Sequence, residues 1–218
     1  MKYHCPIMIK AIFWDNDGVL VDTEPLYFQA TREVLAETGV ALSREAFIRI
    51  SLQQGRSAFD LARDQGATPR ELEDMRRQRN ERYSALLAHA PPALPWVKET
   101  LHALHGRCRM AIVTSSLREH FDIIHRNTGI LGYFDFILTR EDYQHTKPHP
   151  EPYLTALKRS GIAPAHCLVV EDTQRGLQSS VDAGLACAVI PNGLTGDSDF
   201  SRACHVLGDI REVIGLLG

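Results

Sequence analysis

Asp15 and Asp17 stand two positions apart at the end of a short apolar run, and Gly18 follows them directly. Two close carboxylates repel each other unless one holds a proton or a cation sits between them. A hard cation such as Mg2+ suits oxygen donors of this kind. Glu171 and Asp172 form a second acidic pair, after the apolar run 168–170. Buried adjacent acids are costly without a cation or a partner. Thr114, Ser115 and Ser116 close another apolar run, and hydroxyl and backbone N–H groups there can hold the oxygens of an anion. Lys147, in the segment HTKPHPEPY, can offset the charge of such an anion. Each feature alone has a plain reading. Asp-Gly is a turn signal, a hydroxyl after a strand caps a helix, and a lone lysine is a solvated loop residue.

What gives them weight is the elements that must position them. Five short apolar runs stand out, at 9–14, 110–114, 136–138, 168–170 and 186–190. Most are continuous rather than alternating, which fits parallel strands covered on both faces. Segments of helical period lie between them, at 117–127, 151–160 and 174–183, the last followed by Gly184 as its C′ residue. Strands alternating with helices predict an α/β fold, a Rossmann-like parallel sheet with helices on both faces. In such a sheet ligands bind beyond the carboxyl ends of the strands. The acids, the hydroxyls and the fourth run's Glu171 and Asp172 all fall at those ends.

Residues 24–94 break the alternation. Helices are expected at 25–38, 43–50, 57–65 and 69–88, with no strand among them. Thr68, Pro69 and Glu71 form a strong helix start, with an N-cap Thr, Pro at N1 and Glu at N3. Ser43 with Ala46 is a weaker one. The APPALP stretch, 90–95, ends the block. The expected organisation is an α/β core of residues 1–23 and 95–218 with an inserted α-helical cap of residues 24–94.

The 218 residues carry 24 Lys+Arg against 27 Asp+Glu, a net charge of −3. With no basic excess to neutralise phosphates, nucleic acid is not the expected partner. The longest apolar run, 185–190, falls far short of the ~18 residues of a membrane helix, and no secretory leader is visible at the start. A cytoplasmic protein, monomeric or weakly self-associating, is expected. The five cysteines form no CxxC pair and are read as reduced thiols. The histidines are read as forming no ligand cluster, with His145 and His149 as loop residues. Trp14 and Trp96 are read as packing residues.

Together, DNDGVLVDTEP, IVTSS, KPHPEPY and VVEDTQRGLQSSVDAG resemble the four motifs of the haloacid dehalogenase superfamily in order, placement and spacing. The resemblance covers nearly the whole chain, because the helical insert resembles that family's first type of cap. The pattern is similar to the phosphatases and sugar phosphomutases related to β-phosphoglucomutase. It implies a Mg2+-dependent phosphatase acting on small, sugar-phosphate-like monoesters through an aspartyl-phosphate. Asp15 is then the nucleophile and Asp17 the acid–base group. True dehalogenases lack the second aspartate, so Asp17 favours phosphoryl transfer. The resemblance places Mg2+ on the carboxylates of Asp15 and Asp172 and the backbone carbonyl of Asp17, with Glu171 binding directly or through water. It gives Lys147 and Thr114 the transferring phosphoryl oxygens, helped by Ser115 and Asn16.

Specificity is expected in the cap. Arg56, in Gln53-Gln54-Gly55-Arg56, and Arg79 are candidate substrate contacts, with Ser116 and Arg118 as further ones. Both cap arginines have a bland reading as solvated charges. Asp22 and Thr23 are expected to be hinge residues, and Glu24 to lead into the first cap helix. The alternatives are a phosphomutase and a silent binding protein on the same fold. Against the first stands Glu24-Pro25-Leu26-Tyr27, which lacks the cap histidine that the mutases use.

Overall fold

The structure is a computed structural model that describes residues 6, 8–89 and 93–217. In chain order the elements are β1 (Ala11–Trp14), α1 (Glu24–Glu37), α2 (Arg44–Phe47), α3 (Asp60–Asp64), α4 (Pro69–Leu87) and α5 (Val97–Leu104). Then come β2 (Arg109–Val113), α6 (Arg118–His125), β3 (Phe136–Leu138), α7 (Glu151–Ser160), β4 (Cys167–Glu171), α8 (Gln174–Asp182), β5 (Ala186–Val189), β6 (His205–Val206) and α9 (Glu212–Gly215). The six strands form one sheet in the order β3-β2-β1-β4-β5-β6, every neighbouring pair parallel.

Alternation along the strands assigns each face its helices. Ile12, Trp14, Met110, Ile112, Leu168 and Val170 pack with Leu101 of α5, Phe121 of α6 and Val213 of α9. Phe13, Ala111, Val113, Val169 and Val189 pack on the other face with Tyr153 of α7 and Leu177 of α8. Both faces are therefore buried, which is why these strands read as continuous apolar runs. β1 lies between β2 and β4. The chain leaves β1 toward one side of the sheet and returns on the other, so a crevice opens beyond its carboxyl end.

The helices between β1 and β2 have a core of their own, in which Val34 and Leu35 of α1 meet Phe47, Leu52, Phe59, Leu72 and Met75. Each buried side chain of that size contributes roughly 1.5–3 kcal/mol. The α4 start is the capping box read from the sequence: Thr68 Oγ1 accepts from the Glu71 N–H at 3.3 Å, and Glu71 accepts from the Thr68 N–H at 2.7 Å. Ser43 does cap α2, accepting from the Ala46 N–H at 3.1 Å. The helix expected at 43–50 instead divides, because α2 passes into a π-helical segment, Ile48–Gln53. Residues 90–92 of the APPALP stretch lie outside the described residues.

Two expectations are corrected here. Trp96 is not a packing residue: it is 47% exposed, beneath the Arg211 guanidinium at 4.5 Å. Its φ of 65° makes it the one non-glycine with positive φ among the described residues, since it turns the chain into α5. Cys108, Cys167 and Cys187 are free thiols, but Cys204 is disulfide-bonded. Pairing depends on spatial approach, which the spacing of cysteines in the sequence does not carry. Cys5 lies outside the described residues. No helix among the described residues is long and apolar enough to cross a membrane.

Candidate active site

The chain leaves β1 through a tight turn. The carbonyl of Asn16 accepts from the N–H groups of Val19, Leu20 and Val21 at 3.3, 2.8 and 3.1 Å. Gly18 has φ 84°, and a Cβ there would lie 2.1 Å from Oδ2 of Asp172. Only glycine lets this turn close against the end of β4. Asp15 and Asp17 are thereby directed to different partners.

Asp15 faces Lys147. The Lys147 ammonium donates to Asp15 Oδ1 at 2.7 Å, Glu171 Oε1 at 2.6 Å and the Val113 carbonyl at 2.9 Å. Three donors thus meet three acceptors from β1, β2 and β4. Tyr153 donates to the same Glu171 oxygen at 2.7 Å. The Lys147 loop is braced by Glu151, which accepts from the N–H groups of Gln144 at 3.0 Å and His145 at 2.8 Å. These bonds hold the Glu151 carboxyl down at about 2.

Burial is the largest influence on the acids. It pushes Asp15 up to about 7, with Glu171 adding to the rise and Lys147 opposing it. Burial, then the charges of Asp15 and Glu171, hold Asp172 well above the carboxylate range. Burial raises Glu171 too, but the charge and hydrogen bond of Lys147, together with Tyr153 and Arg175, bring it below its ordinary value. Lys147 is held up by both carboxylates against its own desolvation.

Asp15, Glu171 and Asp172 bring ligand atoms within 4.8 Å of one another, all three buried. Asp172 Oδ1 has no hydrogen-bond partner, although water cannot reach it. Two acids pushed up by burial and an orphaned carboxylate oxygen fit a divalent cation bound by oxygen. Glu171 offers little to direct coordination, since its oxygens already serve Lys147, Tyr153 and Thr173. The carboxylate of Asp17 stands outside the group.

Asp17 is ringed by hydroxyls instead. Ser116 donates to it at 2.9 Å, Thr114 at 3.2 Å, and Thr23 through a further short bond. Thr23 therefore holds Asp17 from the segment expected to act as the hinge. Thr114 also accepts from the Ser116 N–H at 3.0 Å. Ser115 Oγ is buried without a partner. Asn16 accepts at Oδ1 from His125 Nε2 at 2.8 Å, and His125 Nδ1 faces Thr128 Oγ1 at 3.0 Å. Burial pulls His125 down to about 4, so its ring is neutral at neutral pH.

Above these groups the inserted helices close a cavity of about 530 Å³, lined by Asp15, Asp17, Ser115, Ser116 and Lys147 below and by Tyr27, Phe47 and Phe59 above. A Cβ on Gly55, in the insert, would lie 2.4 Å from Pro148 Cδ, so the two walls touch beside Lys147. Arg56 and Arg79 both line the cavity. The Arg79 guanidinium lies 4.4 Å over the Tyr27 ring and donates to Asn80 at 2.8 Å. Arg56 is half exposed and spends its guanidinium on Asp60 at 2.9 Å. Arg118 is not brought to the cavity, because Glu141 accepts from its backbone N–H and Asp142 lies 3.8 Å from its guanidinium.

Sequence reasoning missed Glu24 and Arg175, which also line the cavity. Glu24 was legible only as a helix start, and Arg175 only as part of the fourth motif. It also read His145 and His149 as plain loop residues. They come together with the partly buried Glu151, the three bringing ligand atoms within 4.8 Å of one another, the two histidine rings 4.5 Å apart. The i, i+4 spacing in HTKPH was the signal available.

The family model for haloacid dehalogenase-like hydrolases matches residues 12–190. Protein CbbY of Cereibacter sphaeroides is 30% identical over 224 residues, covering 97% of this chain and 96% of that protein. Fructose-1-phosphate phosphatase YqaB of Escherichia coli is 28% identical over 177 residues, covering 80% of this chain and 92% of that protein. A mutant CbbY from Rhodobacter sphaeroides, solved in complex with xylulose-(1,5)-bisphosphate, superposes with a TM-score of 0.80 at 25% identity, covering 94% of this chain and 96% of that chain. With the acids, hydroxyls and lysine gathered at the strand ends and the match spanning the core and its insert, the chain belongs to the haloacid dehalogenase-like hydrolases.

Proposed function

We propose that this hydrolase is a Mg2+-dependent phosphatase of small, sugar-phosphate-like monoesters that works through an aspartyl-phosphate on Asp15. The family match and the phosphatases among its relatives make it a phosphoric monoester hydrolase. One observation carries the finer reading. Asp15 and Asp17 are two residues apart at one strand end, yet one faces a lysine–carboxylate cluster and the other a ring of hydroxyls. Such separated environments suit a nucleophile and an acid–base group.

In this reading Lys147 steadies the Asp15 carboxylate and pairs with the phosphoryl oxygens, while Glu171 holds Lys147 in place. Thr114, Ser115 and the backbone of Asn16 position the phosphoryl group. Asp15 attacks phosphorus as the bond to the leaving oxygen breaks, and Asp17 gives its proton to that oxygen. Asp17 then takes a proton from water, whose oxygen attacks phosphorus, and the bond to Asp15 breaks to release phosphate. Positioning and charge supply most of such catalysis. Asp15, Asp172 and the carbonyl of Asp17 would hold Mg2+, whose chemistry is to neutralise charge on the transferring group. Residues 24–94 act as the cap that excludes bulk water, with Arg56 and Arg79 facing the distal part of the substrate. At the start of the insert the cavity wall carries Glu24 and Tyr27 and no histidine, so that segment gives the mutase alternative no support. The proposed setting is the cytoplasm, with a phosphorylated metabolite as partner.

The test is to acid-quench the enzyme during turnover and map phosphorylation by mass spectrometry. Phosphate on the Asp15 peptide is expected. Turnover with no acyl-phosphate at Asp15 would contradict the reading.

A further inference from the structure

Asn192 lies in the loop that follows β5, and its side chain faces two ways. Oδ1 accepts from the Leu194 N–H at 2.8 Å and from the Thr195 hydroxyl at 3.2 Å. The carbonyl of Asn192 accepts from the N–H groups of Thr195 and Gly196 at 3.1 and 3.0 Å, which closes the turn. With Oδ1 facing a backbone donor, Nδ2 is the end left for another partner. It donates to Oδ2 of Asp172 at 2.8 Å. A Cβ on Gly18 would lie 2.1 Å from that oxygen and 2.8 Å from Asn192 Nδ2, so the turn after β1 closes over the bond. Of the two Asp172 oxygens, Oδ2 is therefore engaged, while Oδ1 has no hydrogen-bond partner.

The other side of this loop is held by the inserted helices. Arg44 of α2 donates to the Gly193 carbonyl at 2.6 Å. Leu194 packs against the core that holds Phe47 and Leu52. Three consecutive residues, 192–194, thus join a candidate metal ligand to the insert. We infer that Asn192 is a positioning residue that sets the Asp172 carboxylate for Mg2+, and that its loop passes the seating of the inserted helices to that carboxylate. A carboxylate pinned at one oxygen cannot turn, so its other oxygen keeps one direction toward a cation. Partners that orient a metal-binding carboxylate in this way typically account for roughly 10–100-fold in metal affinity. The Arg44 bond is exposed and acts one step further away, so its share is smaller. The proposed chemistry assigns nothing to Asn192 or Arg44. The inference rests on the metal-dependent phosphatase reading and adds what aims its metal ligand.

The experiment titrates Mg2+ alone into wild type, Asn192→Ser and Arg44→Ala by calorimetry, then measures Mg2+ activation and KM with p-nitrophenyl phosphate. Serine keeps an oxygen that can accept from the Leu194 N–H in the same turn, but it is too short to reach Asp172. Asn192→Ser is expected to raise the Mg2+ Kd about tenfold or more. The Mg2+ concentration for half-maximal activity should rise by a similar factor, with kcat restored at saturating Mg2+ and KM for the ester within about twofold of wild type. Arg44→Ala is expected to raise the Mg2+ Kd by about threefold. An unchanged Kd in Asn192→Ser, or a loss of kcat that saturating Mg2+ does not restore, would overturn the positioning role. An unchanged Kd in Arg44→Ala would overturn the link to the inserted helices. In both cases a wild type that binds Mg2+ and needs it for turnover leaves the phosphatase reading standing. A wild type that does not bind Mg2+ would overturn that reading and the inference with it. If Asn192→Ser fails to fold, Asn192→Thr carries the same readout.

Discussion

The Lys147 ammonium donates to Oδ1 of Asp15 at 2.7 Å, across 132 positions of sequence. The same ammonium binds Glu171 at 2.6 Å, so a single buried cation ties the ends of β1 and β4 to the α7 loop. Removing one partner of a buried ion pair leaves an uncompensated charge, typically at a cost of about 3–5 kcal/mol. Lys147→Met is therefore expected to lower stability by ~3–5 kcal/mol and to reduce kcat/KM at least 100-fold. Urea melts and steady-state kinetics on the same preparation check it. A variant of wild-type stability and activity would remove Lys147 from the account.

His125 gives a pH prediction. Its folded value is about 4 against an ordinary 6.5, so below pH 6.5 the unfolded chain binds the extra proton. The stability linked to His125 is complete above pH 6.5 and is lost as pH falls from there to about 4. The total is on the order of 3 kcal/mol at about 1.4 kcal/mol per pH unit. His125→Gln has nothing to protonate there, so its urea midpoint should fall less steeply than wild type between those pH values. Parallel pH profiles would refute the assignment.

The two cap arginines should behave differently. Arg79 lies over Tyr27 and Phe59 with its Nε on Asn80, held in place inside the cavity wall. Arg56 is tied to Asp60 on a half-exposed surface. Arg79→Met is expected to raise KM for the best ester at least tenfold, and Arg56→Ala by a markedly smaller factor. Steady-state KM values for both variants decide it, and equal effects would refute the distinction.

Much of this was legible because the core is patterned locally. β1, β2, β4 and β5 are buried on both faces, so they show as continuous apolar runs, and Thr68, Pro69 and Glu71 announce α4 by cap chemistry alone. β6 was missed because His205 and Val206 are both exposed. The π-helical turn at Ile48–Gln53 leaves the helical period almost intact, so the sequence shows one helix where there are two. At the site, Asp15, Asp17 and Asp172 were legible from their places at strand ends, and Lys147 only from the resemblance of its segment to the family's third motif. The hydroxyl ring on Asp17 was only half legible. Thr114 and Ser116 follow a strand, but Thr23 reaches Asp17 through a turn shaped by Gly18. Glu24 and Arg175 were invisible for a simpler reason. Their meeting depends on how α1 and α8 leave the sheet, which no local pattern encodes.

The most direct measurement is phosphate release from a panel of phosphate esters by wild type and Asp15→Asn, with Mg2+ and with Mg2+ removed by chelation. The account predicts release by wild type only, lost on chelation and restored by Mg2+, with no turnover by Asp15→Asn. Turnover by Asp15→Asn, or release indifferent to Mg2+, would contradict it.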